Sequence, residues 1–307
     1  MRTFTRPRPI LPALVAAALS LVAACGSSSP HPASPMPGMN MPTFASAPAT
    51  SATAASTSMP GMDMGAEPMP TGDGLAAGSQ GFTLSPTSTT LGAGGFSFRI
   101  LGADGMPVTA FAPDQTKLMH FYLIRSDLTG FQHVHPTMAA DGTWTAPITA
   151  AQAGSYRVYA AFITQGADAK PVALVLSTAV TAPGSATTSA PPVPSKTTTV
   201  DGYTVTVDAA SVMTGMTMPL KVSITKDGQP VTNLQPYLET YAHLTAIHSG
   251  DLAFAHLHPV GPTATGDTGG PDLTFEATFP KAGAWRLFLQ FQTGGVLHTA
   301  AITVSGG

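Results

Sequence analysis

The feature that most limits how this chain can fold is an internal duplication. Displaced by 123 positions, residues 104–136 fall without a gap on residues 227–259, and 13 of the 33 positions are identical. Asp104-Gly105 lands on Asp227-Gly228, Pro113 on Pro236, His120 on His243 and Phe131 on Phe254. The register closes with His133-Val134-His135-Pro136 on His256-Leu257-His258-Pro259. After an insertion around Gly261 to Pro271, Gly154-Ser155-Tyr156-Arg157 meets Gly283-Ala284-Trp285-Arg286. A tandem repeat of this length reads as two copies of one folding unit, each able to bury a core without disulfides.

Each copy is patterned as strands. Alternation is visible in Tyr203 to Val207, in Leu220 to Ile224 and, with Phe288 as an exception, in Trp285 to Phe291, and Asp-Gly pairs at 104, 141 and 227 mark tight turns. No sustained period of 3.6 residues appears after the N-terminal apolar run. The expected fold is therefore all-β: two tandem Ig-like or cupredoxin-like β-sandwiches over residues 79–182 and 197–307, joined by a Pro-rich linker over 183–196.

The N-terminal region is of another kind. Arg2, Arg6 and Arg8 precede a short apolar run ending in Leu21-Val22-Ala23-Ala24-Cys25. Residues 1–24 read as a signal peptide, and the small residues before a cysteine resemble a bacterial lipobox. Lipid attached to Cys25 would hold the protein to a membrane from the outside, an extracytoplasmic and lipid-anchored location. Cys25 is the only cysteine, which excludes disulfides within the fold, thiolate metal sites and a blue-copper centre. Residues 25–78 are dominated by Ser, Ala, Pro, Thr, Gly and Met, too poor in apolar bulk to offset backbone ordering, and are expected to form a disordered tether. Beyond residue 24, ten basic residues stand against sixteen acidic, a net charge of about −6 with no basic stripe, so nucleic acid is not an expected partner.

Six of the nine histidines occupy equivalent places in the two copies, in the pattern H-x12-H-x-H-P. Residues two apart on a strand share a face, so His133 pairs in direction with His135, and His256 with His258. The intervening residues accommodate a hairpin. If His120 opposes either His133 or His135, three imidazoles gather on one face, a donor set suited to copper or zinc. His243, His256 and His258 repeat the set. His298 offers a possible fourth ligand, and the second copy is therefore expected to hold the more complete site. His248 is expected to face away, and Asp127 and Asp251 are weak candidates for orienting a ring from behind. The alternative reading is that these histidines are structural positions copied by duplication.

Methionine is clustered too. Met36, Met39 and Met41 share the spacing M-P-G-M-x-M with Met59, Met62 and Met64. Thioethers are soft donors for Cu(I), and a segment without a core gives methionine nothing to pack against. Met213, Met216 and Met218 repeat the spacing inside the second copy, where packing at a strand edge is the stronger explanation.

The Met-rich segment resembles those of extracytoplasmic copper-resistance proteins. The H-x-H-P pattern followed by G-x-[YW]-R resembles actinobacterial secreted lipoproteins with tandem sandwich domains, and more loosely the small periplasmic copper-carrier sandwiches, whose N-terminal histidine arrangement is absent here. The resemblance implies a β-sandwich and histidine ligation. The expected function is a lipid-anchored copper-binding protein that buffers or carries the metal, with Cu(II) at the histidines, Cu(I) at the methionine clusters, zinc as a second possibility and another copper-handling protein as partner. The competing reading is a structural or interaction module without metal. An enzyme is not expected: a zinc hydrolase would need a general base, and no Asp or Glu accompanies the histidines at such a spacing.

Overall fold

The computed structural model describes residues 70, 72–92, 94–209 and 213–306. Cys25 and the methionines at 36, 39, 41, 59, 62 and 64 lie outside the described residues. Strands of the first copy are β1 (Gly78–Ser79), β2 (Phe82–Pro86), β3 (Phe96–Leu101), β4 (His120–Arg125), β5 (Gln132–Val134), β6 (Thr137–Met138), β7 (Trp144–Ala146), β8 (Gly154–Gln165) and β9 (Pro171–Ala182). Those of the second are β10 (Thr197–Val200), β11 (Tyr203–Asp208), β12 (Thr217–Lys226), β13 (Gln229–Pro230), β14 (Ala242–His248), β15 (Phe254–Pro259), β16 (Asp272–Thr278), β17 (Gly283–Thr293) and β18 (Val296–Gly306). The described chain is all-β, as the sequence patterns require.

The first copy is a sandwich of one sheet ordered β1-β2-β3-β7-β6 and one ordered β5-β4-β8-β9. The second repeats this order as β10-β11-β12-β16-β15 and β14-β17-β18, with β15 pairing on both sides and joining the halves into one continuous path. The difference lies at His135-Pro136. In the first copy the chain breaks there into β5 and β6, whereas in the second, Phe254 to Pro259 runs through as one strand that pairs first with β14 and then with β16.

Strand alternation sends one face of each sheet into its own core. Phe121 and Leu123 enter the first core beside Phe98, Trp144, Val158 and Leu176. Leu244 and Ala246 enter the second beside Phe275, Trp285, Leu287 and Phe291. In an isolated sandwich the other face of β4 would be wet. Instead all six residues of β4 are buried, because the outer faces of β4-β8-β9 and β14-β17 pack on each other. Tyr122, Ile124, Tyr159 and Val175 meet Ile247, Phe254 and Phe288 in a third apolar cluster. Phe131 lies flat on Phe288, with ring centroids 4.0 Å apart at 4°.

The boundary expected at residue 78 is displaced. Residues 73–77 already run as a strap over both copies: the Asp73 carbonyl accepts from Phe254 N at 2.7 Å, the Ala76 carbonyl from Ser177 N, and the Ala77 carbonyl from Leu84 N. Asp73 also pairs with Lys281 at 2.8 Å, and Leu75 packs against the second core. Composition concealed this because the contacts are mostly backbone hydrogen bonds, which small residues make as well as large ones. The linker is tied down as well, the Thr187 carbonyl accepting from Arg125 Nη2 at 2.6 Å and Ser189 N donating to Asp127.

Because Phe288 is 4% exposed and fills the space between the sandwiches, Phe288→Ala should lower the unfolding free energy by about 3 kcal/mol or more. Exposed Val296 changed to Ala should cost no more than about 0.5 kcal/mol. Urea denaturation measures both, and equal small effects would mean that the two faces do not bury one another.

Candidate metal centre

The hairpin of β4 and β5 builds the site. Its register pairs Phe121 with Val134 and Tyr122 with His133, so the next opposed pair in line is His120 with His135. Directly opposed residues share a face. His120, Tyr122, His133 and His135 therefore all stand on the face turned to the second copy. One nitrogen from each of His120, His133 and His135 lies within 4.8 Å of the others.

The spacing is that of ligands on one ion. Nitrogens bound at about 2.0–2.1 Å in tetrahedral geometry stand about 3.3 Å apart, and their ring centroids about 5.2 Å apart. Centroids here are separated by 5.2 Å for His120 and His133, 5.0 Å for His120 and His135, and 4.8 Å for His133 and His135. His120 Nδ1 and His133 Nε2 approach to 3.0 Å.

The outward-facing nitrogens are held by carbonyl oxygens. His120 Nε2–H donates to the Asp114 carbonyl at 3.0 Å, which leaves a lone pair on Nδ1. His133 Nδ1–H donates to Gln290 Oε1 at 2.6 Å, which leaves a lone pair on Nε2. Neither inner nitrogen can then donate to the other, and two lone pairs face each other. This is the pattern of metal-ligating histidines, whose second nitrogen is fixed by a carbonyl partner. With the Gln290 amide turned over, its NH2 would donate to His133 and His133 to His120, a closed neutral chain without an ion. In both arrangements the buried Nε2 of His135 has no hydrogen-bond partner.

Burial sets the charge state. Desolvation pushes His120, His133 and His135 below the ordinary imidazole value, His135 to about 3, and the neighbouring His120 adds to the effect at His133 and His135. Neutral rings are the form that binds a metal. Tyr122 stacks on His133 with centroids 4.4 Å apart, and burial raises its phenol.

One histidine of the second copy stands beside the first copy's triad. His243 faces the first copy's triad, its ring centroid 6.4 Å from His120 and 6.1 Å from His133. Burial lowers it to about 4. Among the described residues, the converging set is that of the first copy; the expectation of a more complete site in the second rests in part on the His256 side chain, which lies outside the described residues. His258 follows the repeat in register, standing in line opposite His243 and paired with Glu276. It lines a cavity of about 550 Å³ with Gln115, Glu239 and Asp272. His256 pairs by its backbone with Thr245, and its side chain lies outside the described residues.

His298, a possible fourth ligand from the sequence, is not placed to serve as one. It pairs with Phe291, one residue out of phase with Gln290 and Thr299, and so points into the second core. Its nitrogens bond Asp201 at 2.7 Å and Thr293 at 3.0 Å. Its counterpart Leu174, paired with Phe162, is a core residue too. Asp251 holds His248 at 2.7 Å, and Asp127 holds Arg125; neither orients a triad ring. Met213 and Met216 are exposed at 47% and 51%, so packing does not account for them.

Sequence reasoning missed three parts. Gln290 is a polar residue in an apolar strand, directly opposite His243; that register was its only signal. Tyr122 carried none. The carbonyl partner was visible as a repeat: Asp114 lies six residues before His120, and the Tyr237 carbonyl, six before His243, accepts from His243 Nε2 at 2.9 Å.

Comparison with known proteins adds the family. A family model described as "Domain of unknown function (DUF8832)" matches residues 77–177 and again 198–306. No curated protein matches the chain. Among solved structures, it is similar to the Yersinia pseudotuberculosis adhesin InvE at 15% identity, covering 74% of this chain and 59% of that one, with a TM-score of 0.21. Domains 4 and 5 of the S-layer protein SbsC match at 16% identity, covering 73% and 96%, with a TM-score of 0.22. The fibronectin(III)-like modules of Clostridium thermocellum CbhA match at 10% identity, covering 73% and 94%, with a TM-score of 0.20.

Histidines held neutral by burial make stability depend on pH with a definite sign. Their folded values lie below the unfolded value near 6.5, so the unfolded chain takes up protons first as pH falls. The full contribution is present above about pH 6.5 and is lost as pH drops towards the folded values, at up to about 1.4 kcal/mol per pH unit for each ring. The urea midpoint of the metal-free protein should fall between pH 7 and 5, and His133→Gln should flatten that fall. A midpoint independent of pH would contradict neutral burial.

Proposed function

The chain belongs to the DUF8832 family, which it carries twice, and from the geometry of its first copy we propose that it binds a transition metal, copper before zinc, through His120, His133 and His135. One observation carries the reading: three buried rings gathered within ligand reach of one another, His120 with its outer nitrogen fixed by the Asp114 carbonyl and His135 with a buried nitrogen left unpaired. Neutral imidazoles favour copper and zinc over calcium and magnesium, which take oxygen ligands.

Holding the metal, rather than reacting at it, fits the surroundings. The gap beside His120 has a volume of about 20 Å³, space for roughly one water and none for an organic substrate. The wider proposal is a copper buffer or carrier outside the cytoplasmic membrane, anchored by lipid on Cys25. Met36, Met39, Met41, Met59, Met62 and Met64 would collect Cu(I), the histidines would hold Cu(II), and another copper-handling protein would be donor or acceptor.

Calorimetry with Cu(II) and with Zn(II) tests the centre. The double substitution His133→Ala and His135→Ala should weaken binding by at least a hundredfold and abolish the metal-dependent rise in melting temperature. Parent-like affinity in the double variant would make the histidines structural. The anchor is tested separately: Cys25→Ser should release the protein from the membrane fraction or leave it unprocessed, and unchanged association would rule out lipid on Cys25.

A further inference from the structure

We propose that His243 of the second copy supplies a fourth nitrogen to the His120–His133–His135 centre, so that one metal ion ties the two sandwiches together. The inference rests on the metal reading above and adds to it a ligand from the other copy. Three observations converge on this ring.

The first is position. β14 places His243 directly opposite Gln290, and Gln290 already reaches across to His133 at 2.6 Å. His243 is thus the adjacent residue, on the same face, to one that touches the triad. Its centroid distances of 6.4 Å to His120 and 6.1 Å to His133 exceed the tetrahedral value of about 5.2 Å by only about 1 Å. The three centroid distances within the triad already match that value.

The second is the state of the ring. His243 Nε2–H donates to the Tyr237 carbonyl, as His120 Nε2–H does to the carbonyl of Asp114, the equivalent residue of the first copy. Nδ1 of His243 therefore keeps its lone pair, as Nδ1 of His120 does. The duplication has carried the ligand and its carbonyl partner together into a position facing the original.

The third is space. A gap of about 20 Å³ is lined by both His120 and His243, with Tyr122, Thr245 and Asp114, and reaches neither His133 nor His135. It leaves His243 room to move towards His120. An ion held by three neutral imidazoles has room for one more donor, and His243 is the neutral nitrogen beside the gap. The Asp114 carboxylate lines the same gap and is the competing donor.

The ligands would then come from positions more than a hundred residues apart, joined otherwise by side-chain packing, the His133–Gln290 and Tyr159–Leu252 hydrogen bonds, the strap at 73–77 and the exposed linker. Electron paramagnetic resonance of the full chain loaded with Cu(II) should show four coupled nitrogens. His243→Ala and the shape-conserving His243→Gln should each show three, with affinity lower by at least tenfold, while His248→Ala, whose ring is held by Asp251 away from the triad, should leave both unchanged. In a chain whose residues 190–194 are replaced by a protease recognition sequence, Cu(II) added before cleavage should slow separation of the halves at least tenfold, and His243→Gln should remove that effect. Three nitrogens in the parent, or parent-like affinity in both His243 variants, would overturn the fourth ligand while leaving the triad in place. Absence of Cu(II) binding by the parent would overturn the metal reading and this inference together.

Discussion

The packing of one sandwich's outer face on the other is the interaction on which the rest depends. Phe131 on Phe288, with Tyr122, Tyr159 and Phe254 around them, removes water from a face that carries four imidazoles. An exposed histidine triad would bond to water and titrate near neutrality. Enclosed by aromatic rings, the same residues are held neutral, and each polar atom must find a partner within the protein. Gln290, the Asp114 carbonyl and the Tyr237 carbonyl are the partners found, and the His135 Nε2 left over is the point at which the protein alone does not complete the network. Burial thus does two things here: it holds the domains together, and it keeps the imidazoles neutral.

Much of this was legible in the sequence. The duplication fixed two equivalent units, alternation fixed the strands, and the constant index sum of an antiparallel hairpin put His120, His133 and His135 on one face. What alternation does not encode is what covers a face from outside. His120-Phe121-Tyr122-Leu123-Ile124 is apolar on both sides of the strand, the one local sign that a second layer would close over it, and it looks the same whether that layer is the other repeat or another molecule. His298 is a different kind of miss. Its equivalence to Leu174 was available, and a leucine in that place marks a position facing the core, so its parity with Gln290 would have separated it from the site.

The two copies show how a duplicated frame diverges under constraint. The backbone device at His120 and at His243 is the same, down to the carbonyl six residues earlier. The neighbours differ. Tyr122 corresponds to Thr245, Ala161 to Gln290, and the break at His135-Pro136 to a continuous β15. A bulky ring in one copy is met by a hydroxyl in the other, and a methyl by an amide that reaches across. Pairing a face with its own duplicate gives an interface whose strands match in twist and spacing from the start, so that substitutions at a few positions suffice to make the halves complementary.

The strap at Asp73 to Ala77 has a consequence of a mechanical kind. Its hydrogen bonds end on Phe254 in the second copy and on Ser177 and Leu84 in the first, and Asp73 is locked to Lys281. A pull on the chain before Asp73 is therefore borne by both sandwiches at once, instead of unzipping the first from its edge strand. The load enters each sandwich through its own backbone hydrogen bonds to the strap.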